Sequence, residues 1–85
     1  MYKRQVLEVP EAVLDEVARR LAERRLMPAL VLAAVPPRAR FVLLGGEDDW
    51  ARLQSLGARG GGRGGRYQGV LDLAALEAAK RLFSG

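Results

Sequence analysis

The stretch ALVLAAVPPRARFVLLG, residues 29–45, constrains the fold more than any other part of the chain. Residues 29–35 are apolar throughout, as a strand buried on both faces requires. Pro36 and Pro37 make a stiff turn, and residues 39–45, ARFVLLG, read as a second buried strand. So short a connection joins antiparallel neighbours, because a parallel return needs a crossover of a dozen or more residues. At 85 residues the chain makes one domain, residues 1–85. A domain of this size buries only somewhat over ~60% of its unfolded-chain surface, so its core is modest.

Helical patterning flanks this pair. Pro10 suits the first turn of a helix, where its missing N–H costs nothing. Leu14, Val17, Ala18, Leu21 and Ala22 then recur at helical spacing, with Glu11, Asp15 and Glu16 near the start. Arg19, Arg20, Arg24 and Arg25 fall near the end, where the helix dipole favours cations; they read as a solvated face. Residues 2–9 are expected to form an entry strand, and Pro28 ends the helix. After Gly45 and Gly46, EDDWARLQSL (47–56) reads as a short helix with Trp50, Leu53 and Leu56 inward and Gly57 at its C′ position. Glu47, Asp48 and Asp49 point in different directions within one turn. They read as helix-start acids rather than Mg²⁺ or Ca²⁺ ligands. RYQGVL (66–71) is expected to form a short strand, Asp72 to cap the last helix, and LAALEAAKRLF (73–83) to bury Leu73, Leu76, Ala79, Leu82 and Phe83. The expected order is β-α-β-β-α-loop-β-α: an α/β (α+β) domain with a mixed sheet of about four strands packed by two or three helices.

Composition closes several routes to chemistry. There is no Cys and no His. Disulfides, thiolate ligands, the commonest general base and every His-based triad are therefore excluded. The expectation is a protein that is not an enzyme, with no metal and no cofactor. Net charge is +4. This suits a polyanion partner, although twelve of the fourteen basic residues are Arg, which a high-GC genome also produces. The longest apolar run is too short to span a bilayer and the N-terminus lacks the apolar segment of a signal peptide. The cytoplasm is the expected compartment, with no membrane partner.

The remaining feature is GARGGGRGGRYQG, residues 57–69, with seven Gly, three Arg and no acid. Gly60, Gly62 and Gly65 satisfy the dinucleotide pattern G-x-G-x-x-G, but that pattern works only between a leading strand and a following helix. Here a helix leads in. A P-loop is excluded because no Gly-Lys-Ser/Thr occurs. An RGG tract would be long and disordered, whereas this one is short and closely flanked. An ordered loop remains, whose amides could form an anion-binding nest reinforced by Arg59, Arg63 and Arg66. The same loop would serve a small phosphorylated ligand, or would simply permit close packing.

GARGGGR followed by YQG resembles the signature of the DHH-associated domain, which closes the C-terminus of alanyl-tRNA synthetases and occurs in related editing proteins and phosphoesterases. The Gly-Gly-Gly-Arg run falls on Gly60, Gly61, Gly62 and Arg63, and the Gln-Gly on Gln68 and Gly69. The order of elements is similar across essentially the whole chain. Gly64 and Gly65 stand where the synthetase branch has Pro-Asp, and Arg66 and Tyr67 where it has small apolar residues. The His of the phosphoesterase branch is missing. The resemblance implies an accessory role, docking on tRNA or self-association. The expected site is Arg59, Gly60, Gly61, Gly62, Arg63, Arg66, Tyr67, Gln68 and Gly69, with Arg52 as an extension. The arginines would meet phosphates, Tyr67 would stack on a base or pack in a strand, and Gln68 would direct a hydrogen bond or hold the loop. The expected partner is structured RNA, in the first place tRNA. The alternative is an oligomerisation or protein-docking module, as a homo-oligomer or with a separate enzyme subunit, in which the glycines are structural.

Overall fold

The structure is a computed structural model and describes residues 5–84. Its five-stranded mixed sheet has the order β1-β2-β3-β5-β4. The strands are β1 (Gln5–Glu8), β2 (Ala29–Val35), β3 (Arg38–Leu44), β4 (Arg59–Arg63) and β5 (Arg66–Asp72). Only β1 and β2 run parallel; the other three pairings are antiparallel. Residues 2–4 of the expected entry strand lie outside the described residues. The helices are α1 (Leu14–Glu23), α2 (Glu47–Gln54) and α3 (Leu76–Ser84), with 3-10 turns at Glu11–Val13 and Leu73–Ala75 leading into α1 and α3. The α/β class and the mixed sheet are as the sequence implies. None of these helices is long and apolar enough to cross a membrane.

The two buried strands divide their side chains between two cores, as period-2 geometry dictates. Ala29, Val31, Ala33, Val42 and Leu44 face α1 and pack on Leu14 and Ala18. Leu30, Leu32, Phe41 and Leu43 face the other way and pack with Leu53 of α2 and with Leu76, Ala79 and Phe83 of α3. Trp50 joins that second core, stacked on Tyr67 with ring centroids 5.1 Å apart and tilted against Phe41 at 5.8 Å. Burial of each Val, Leu or Phe side chain among them contributes about 1.5–3 kcal/mol.

The glycine stretch is a strand and not the expected loop, so the sheet has five strands and the order is β-α-β-β-α-β-β-α. Gly64 (φ 69°) and Gly65 (φ 86°) supply the two left-handed residues of a tight hairpin between Arg63 and Arg66. A two-residue connection of this kind matches the right-handed twist of the flanking strands. The chain then returns so close to itself that side chains have no room. A Cβ on Gly62 would lie 2.0 Å from the Arg66 carbonyl oxygen. On Gly69 it would lie 1.9 Å from that of Arg59, and on Gly60 2.1 Å from that of Gln68. Glycine therefore answers a close approach of two backbones here.

Candidate nucleic-acid interface

Strand register decides which of the expected site residues act together. Directly opposite residues in a sheet share a face. Arg63 lies opposite Arg66, Gly61 opposite Gln68, and Arg59 opposite Val70. Gln68 lies opposite Val42, Val70 opposite Arg40, and Asp72 opposite Arg38 on the β3 side. Val42 packs beneath α1. Arg38, Arg40, Arg59, Arg63, Arg66 and Gln68 are thus all on the α1 face of the sheet. The apolar face of that helix packs on β2 and β3, and β4 is exposed along its whole length.

Gln68 stands at the centre of this set and is exposed. Arg66 is its neighbour along β5, Arg59 and Arg63 sit diagonally on β4, and Arg40 sits diagonally on β3. Gly61 opposite it carries no side chain, so the amide is uncrowded between the two β4 arginines. Arg59 and Arg63 are four residues apart, about 13 Å along an extended strand. The resulting surface is a small platform with five guanidiniums, one amide and an acidic margin. Glu11 of the 3-10 turn before α1 and Asp15 of its first turn form that margin. Arg40 reaches Glu11 at 3.3 Å and Asp15 at 4.0 Å, and Arg66 reaches Asp15 at 4.0 Å. All four side chains are at least 40% exposed, and ion pairs in such surroundings are worth about 0–1 kcal/mol. An incoming phosphate can displace them. Arg38, Arg59 and Arg63 form no ion pair with any described residue.

Two expected site residues lie elsewhere. Tyr67 points to the opposite face, is 7% exposed and is stacked on Trp50, so packing in the strand is its role and its ring is closed to a base. Arg52 belongs to α2, which packs on that same opposite face, and does not extend the arginine platform. Gly60, Gly62 and Gly69 bring β4 and β5 together rather than presenting converging amides. An anion nest needs successive N–H groups on one side, and in a strand they alternate. Asp49, one of the helix-start acids, is buried against Gly45, and no cluster of potential metal ligands occurs among the described residues.

Sequence reasoning missed Arg38 and Arg40. The signal was present as RARF, where Arg38 and Arg40 alternate with the buried Ala39 and Phe41. Treating 39–45 as uniformly buried hid a strand whose first half has one wet face. The chain matches no protein-family model, no curated protein and no solved structure.

Proposed function

We propose that this chain is a non-catalytic module that binds structured RNA through the arginine platform of the β4–β5 hairpin. The observation that carries this reading is the register, which gathers arginines from three strands around Gln68 on one face of the sheet. Guanidiniums are suited to phosphate because their donors form a planar fork and their charge is permanent. Among the described residues the platform offers no exposed aromatic ring, which supports phosphate-directed docking over stacking on unpaired bases. The resemblance of residues 57–69 to the DHH-associated signature supports tRNA as the first RNA to try. The absence of His and Cys, and the scatter of the carboxylates, support a role without catalysis.

The test is a titration with labelled total tRNA at several salt concentrations, comparing wild type with an Arg63→Ala/Arg66→Ala double variant. Binding near micromolar is expected. The salt slope should fall by about two in the variant, because each of the two arginines neutralises one phosphate. Binding that ignores the substitutions would remove the platform from consideration.

One observation favours protein docking as a second reading. β4 is the sheet's edge, all five of its residues are exposed, and three have no side chain. An edge of this kind can accept an added strand. Antiparallel self-pairing of β4 would set Arg59 against Arg63 of the second copy, and like charges directly opposite are destabilising. A mass that rises with protein concentration, unaffected by tRNA, would favour this second reading.

A further inference from the structure

The arginine platform differs at its two ends. The end beside the hairpin turn carries Arg63 and Arg66 opposite one another. The far end carries a cavity of about 300 Å³, lined by Arg38, Gly57, Arg59, Val70, Leu71 and Asp72. Register explains the assembly: Arg38 and Asp72 are opposite one another across β3 and β5, and Arg59 is opposite Val70 across β5 and β4. Three strands thus deliver two guanidiniums and one carboxylate to a single recess, and Leu71, which belongs to the opposite core, and Gly57, which follows α2, complete its lining at the end of the sheet.

The charges in this recess are open to a ligand. Neither Arg38 nor Arg59 forms an ion pair with a described residue, in contrast to Arg40 and Arg66 nearer α1. Asp72 occupies the N-cap position before the 3-10 turn, yet its carboxylate makes no capping hydrogen bond. The Leu73 N–H that follows donates instead to the Pro37 carbonyl at 3.2 Å. The side chain of Asp72 is exposed and remains available as an acceptor.

These groups select a ligand by chemistry. Two guanidiniums sharing a recess suit a doubly charged phosphate, since each can offer paired donors. A phosphodiester within a strand carries one charge and must leave the recess on both sides, whereas a terminal phosphomonoester enters once. The carboxylate repels a second anion but accepts a hydrogen bond from a hydroxyl, and a ribose supplies hydroxyls beside its phosphate. A volume of about 300 Å³ is at the small end of ligand pockets (~300–1,000 Å³), enough for a nucleotide-sized group.

We infer that this cavity binds the phosphomonoester of a ribonucleotide, with Arg38 and Arg59 on the phosphate and Asp72 accepting from a ribose hydroxyl. Its two sources are the phosphorylated end of an RNA whose backbone continues along the platform, which rests on the RNA reading above, and a free mononucleotide, which does not.

The experiment compares three RNA hairpins of one sequence, carrying a 5′-phosphate, a 3′-phosphate or hydroxyls at both ends. Thermal shift with AMP and with adenosine runs beside it. One phosphorylated RNA should bind about fivefold or more tighter than the hydroxyl-ended RNA, a difference of about 1 kcal/mol. Arg38→Gln, at an exposed position, should erase that preference while leaving the melting temperature unchanged. Arg63→Ala/Arg66→Ala should weaken all three RNAs by a common factor and leave the preference intact. Asp72→Asn should narrow the preference for a ribose-ended over a deoxyribose-ended strand, and AMP but not adenosine should stabilise the wild type. Equal binding of the three RNAs, with no response to AMP, would overturn the cavity inference and leave the platform reading standing. If no RNA binds but AMP stabilises the wild type and not Arg38→Gln, the platform reading fails and the free nucleotide is the ligand. Silence in both arms would overturn both.

Discussion

Two antiparallel hairpins make up most of this sheet, and they are built on opposite terms. In β2–β3, side chains fill both faces; Leu30, Val31, Leu32, Phe41, Val42 and Leu43 are all at most 1% exposed. In β4–β5, three successive residues of one strand lack side chains, and the pairing depends on how closely two backbones approach. The first hairpin turns on Pro36 and Pro37, the second on Gly64 and Gly65. Burial sets the sequence of the first. Backbone proximity sets that of β4 in the second, whose two side chains, Arg59 and Arg63, form no ion pair with any described residue.

This contrast predicts where substitution will hurt most. Phe41→Ala removes the ring that fills the space between Trp50 and the sheet, and should cost about 3–5 kcal/mol in urea unfolding, a large part of the stability of so small a domain. Within the glycine hairpin, position should matter more than composition. Gly62→Ala places a methyl group 2.0 Å from a backbone oxygen that has no rotamer to escape into. It should cost about 1–3 kcal/mol, as overpacking does, with loss of amide protection along β4. Gly61→Ala meets nothing within 4 Å and should change stability by no more than about 0.5 kcal/mol. If the two alanine variants behave alike, the close approach of β4 and β5 is not what glycine is there for.

The same contrast explains what could be read from the sequence. The β2–β3 hairpin was legible because apolar runs and prolines carry their meaning locally. The helix ends were legible too: Gly57 closes α2 with Ala58 N–H donating to the Leu53 carbonyl at 3.3 Å and Gly57 N–H to that of Gln54 at 3.0 Å. Strand β4 was not, because strand propensity reports side chains packing on a pleated surface and glycine has none. The overlooked signal was the Gly64–Gly65 pair between Arg63 and Arg66, a two-residue hairpin connection. For the candidate site, the arginines of residues 59–66 could be picked out by eye. That Tyr67 leaves the set and Arg38 and Arg40 join it depends on strand register, which emerges only when β3, β4 and β5 pair.

The two halves of the sheet also differ in how they meet left-handed backbone. Around the second hairpin those positions are glycines, but α1, which covers the first, ends on Arg25 at φ 57°. The bonds there repeat those that close α2: Leu26 N–H donates to the Leu21 carbonyl at 2.9 Å and Arg25 N–H to that of Ala22 at 3.0 Å. A side chain in this conformation costs about 1–2 kcal/mol, partly recovered in the chain entropy that glycine would lose. Arg25→Gly should therefore raise stability by about 0.5–1 kcal/mol, read as a shift in the urea midpoint. No gain would mean that the Arg25 side chain offsets its backbone conformation through packing of its own.

The smallest effect belongs to the sheet's other edge. There Lys80 of α3 bonds to Glu8 of β1, with Glu77 at 3.5 Å as a second acid. The β4 edge has no such tether. The hydrogen bond to Glu8, aided by the charges of both acids and opposed by partial desolvation, raises the Lys80 pKa above its ordinary 10.5. A raised lysine pKa means that the folded state holds this proton more tightly than the unfolded chain does. Its stabilising contribution is therefore complete below that ordinary value and is lost as pH rises through the higher, folded value. Lys80→Met should lower the melting temperature slightly and by a constant amount at neutral and mildly alkaline pH. The gap to wild type should close only above about pH 10, and should shrink in high salt because the pair is open to solvent. Comparing the two proteins at each pH cancels the titration of every other group. A gap that is the same on both sides of that pH would assign the effect of Lys80 to the packing of its methylene stem against β1 instead of to its charge.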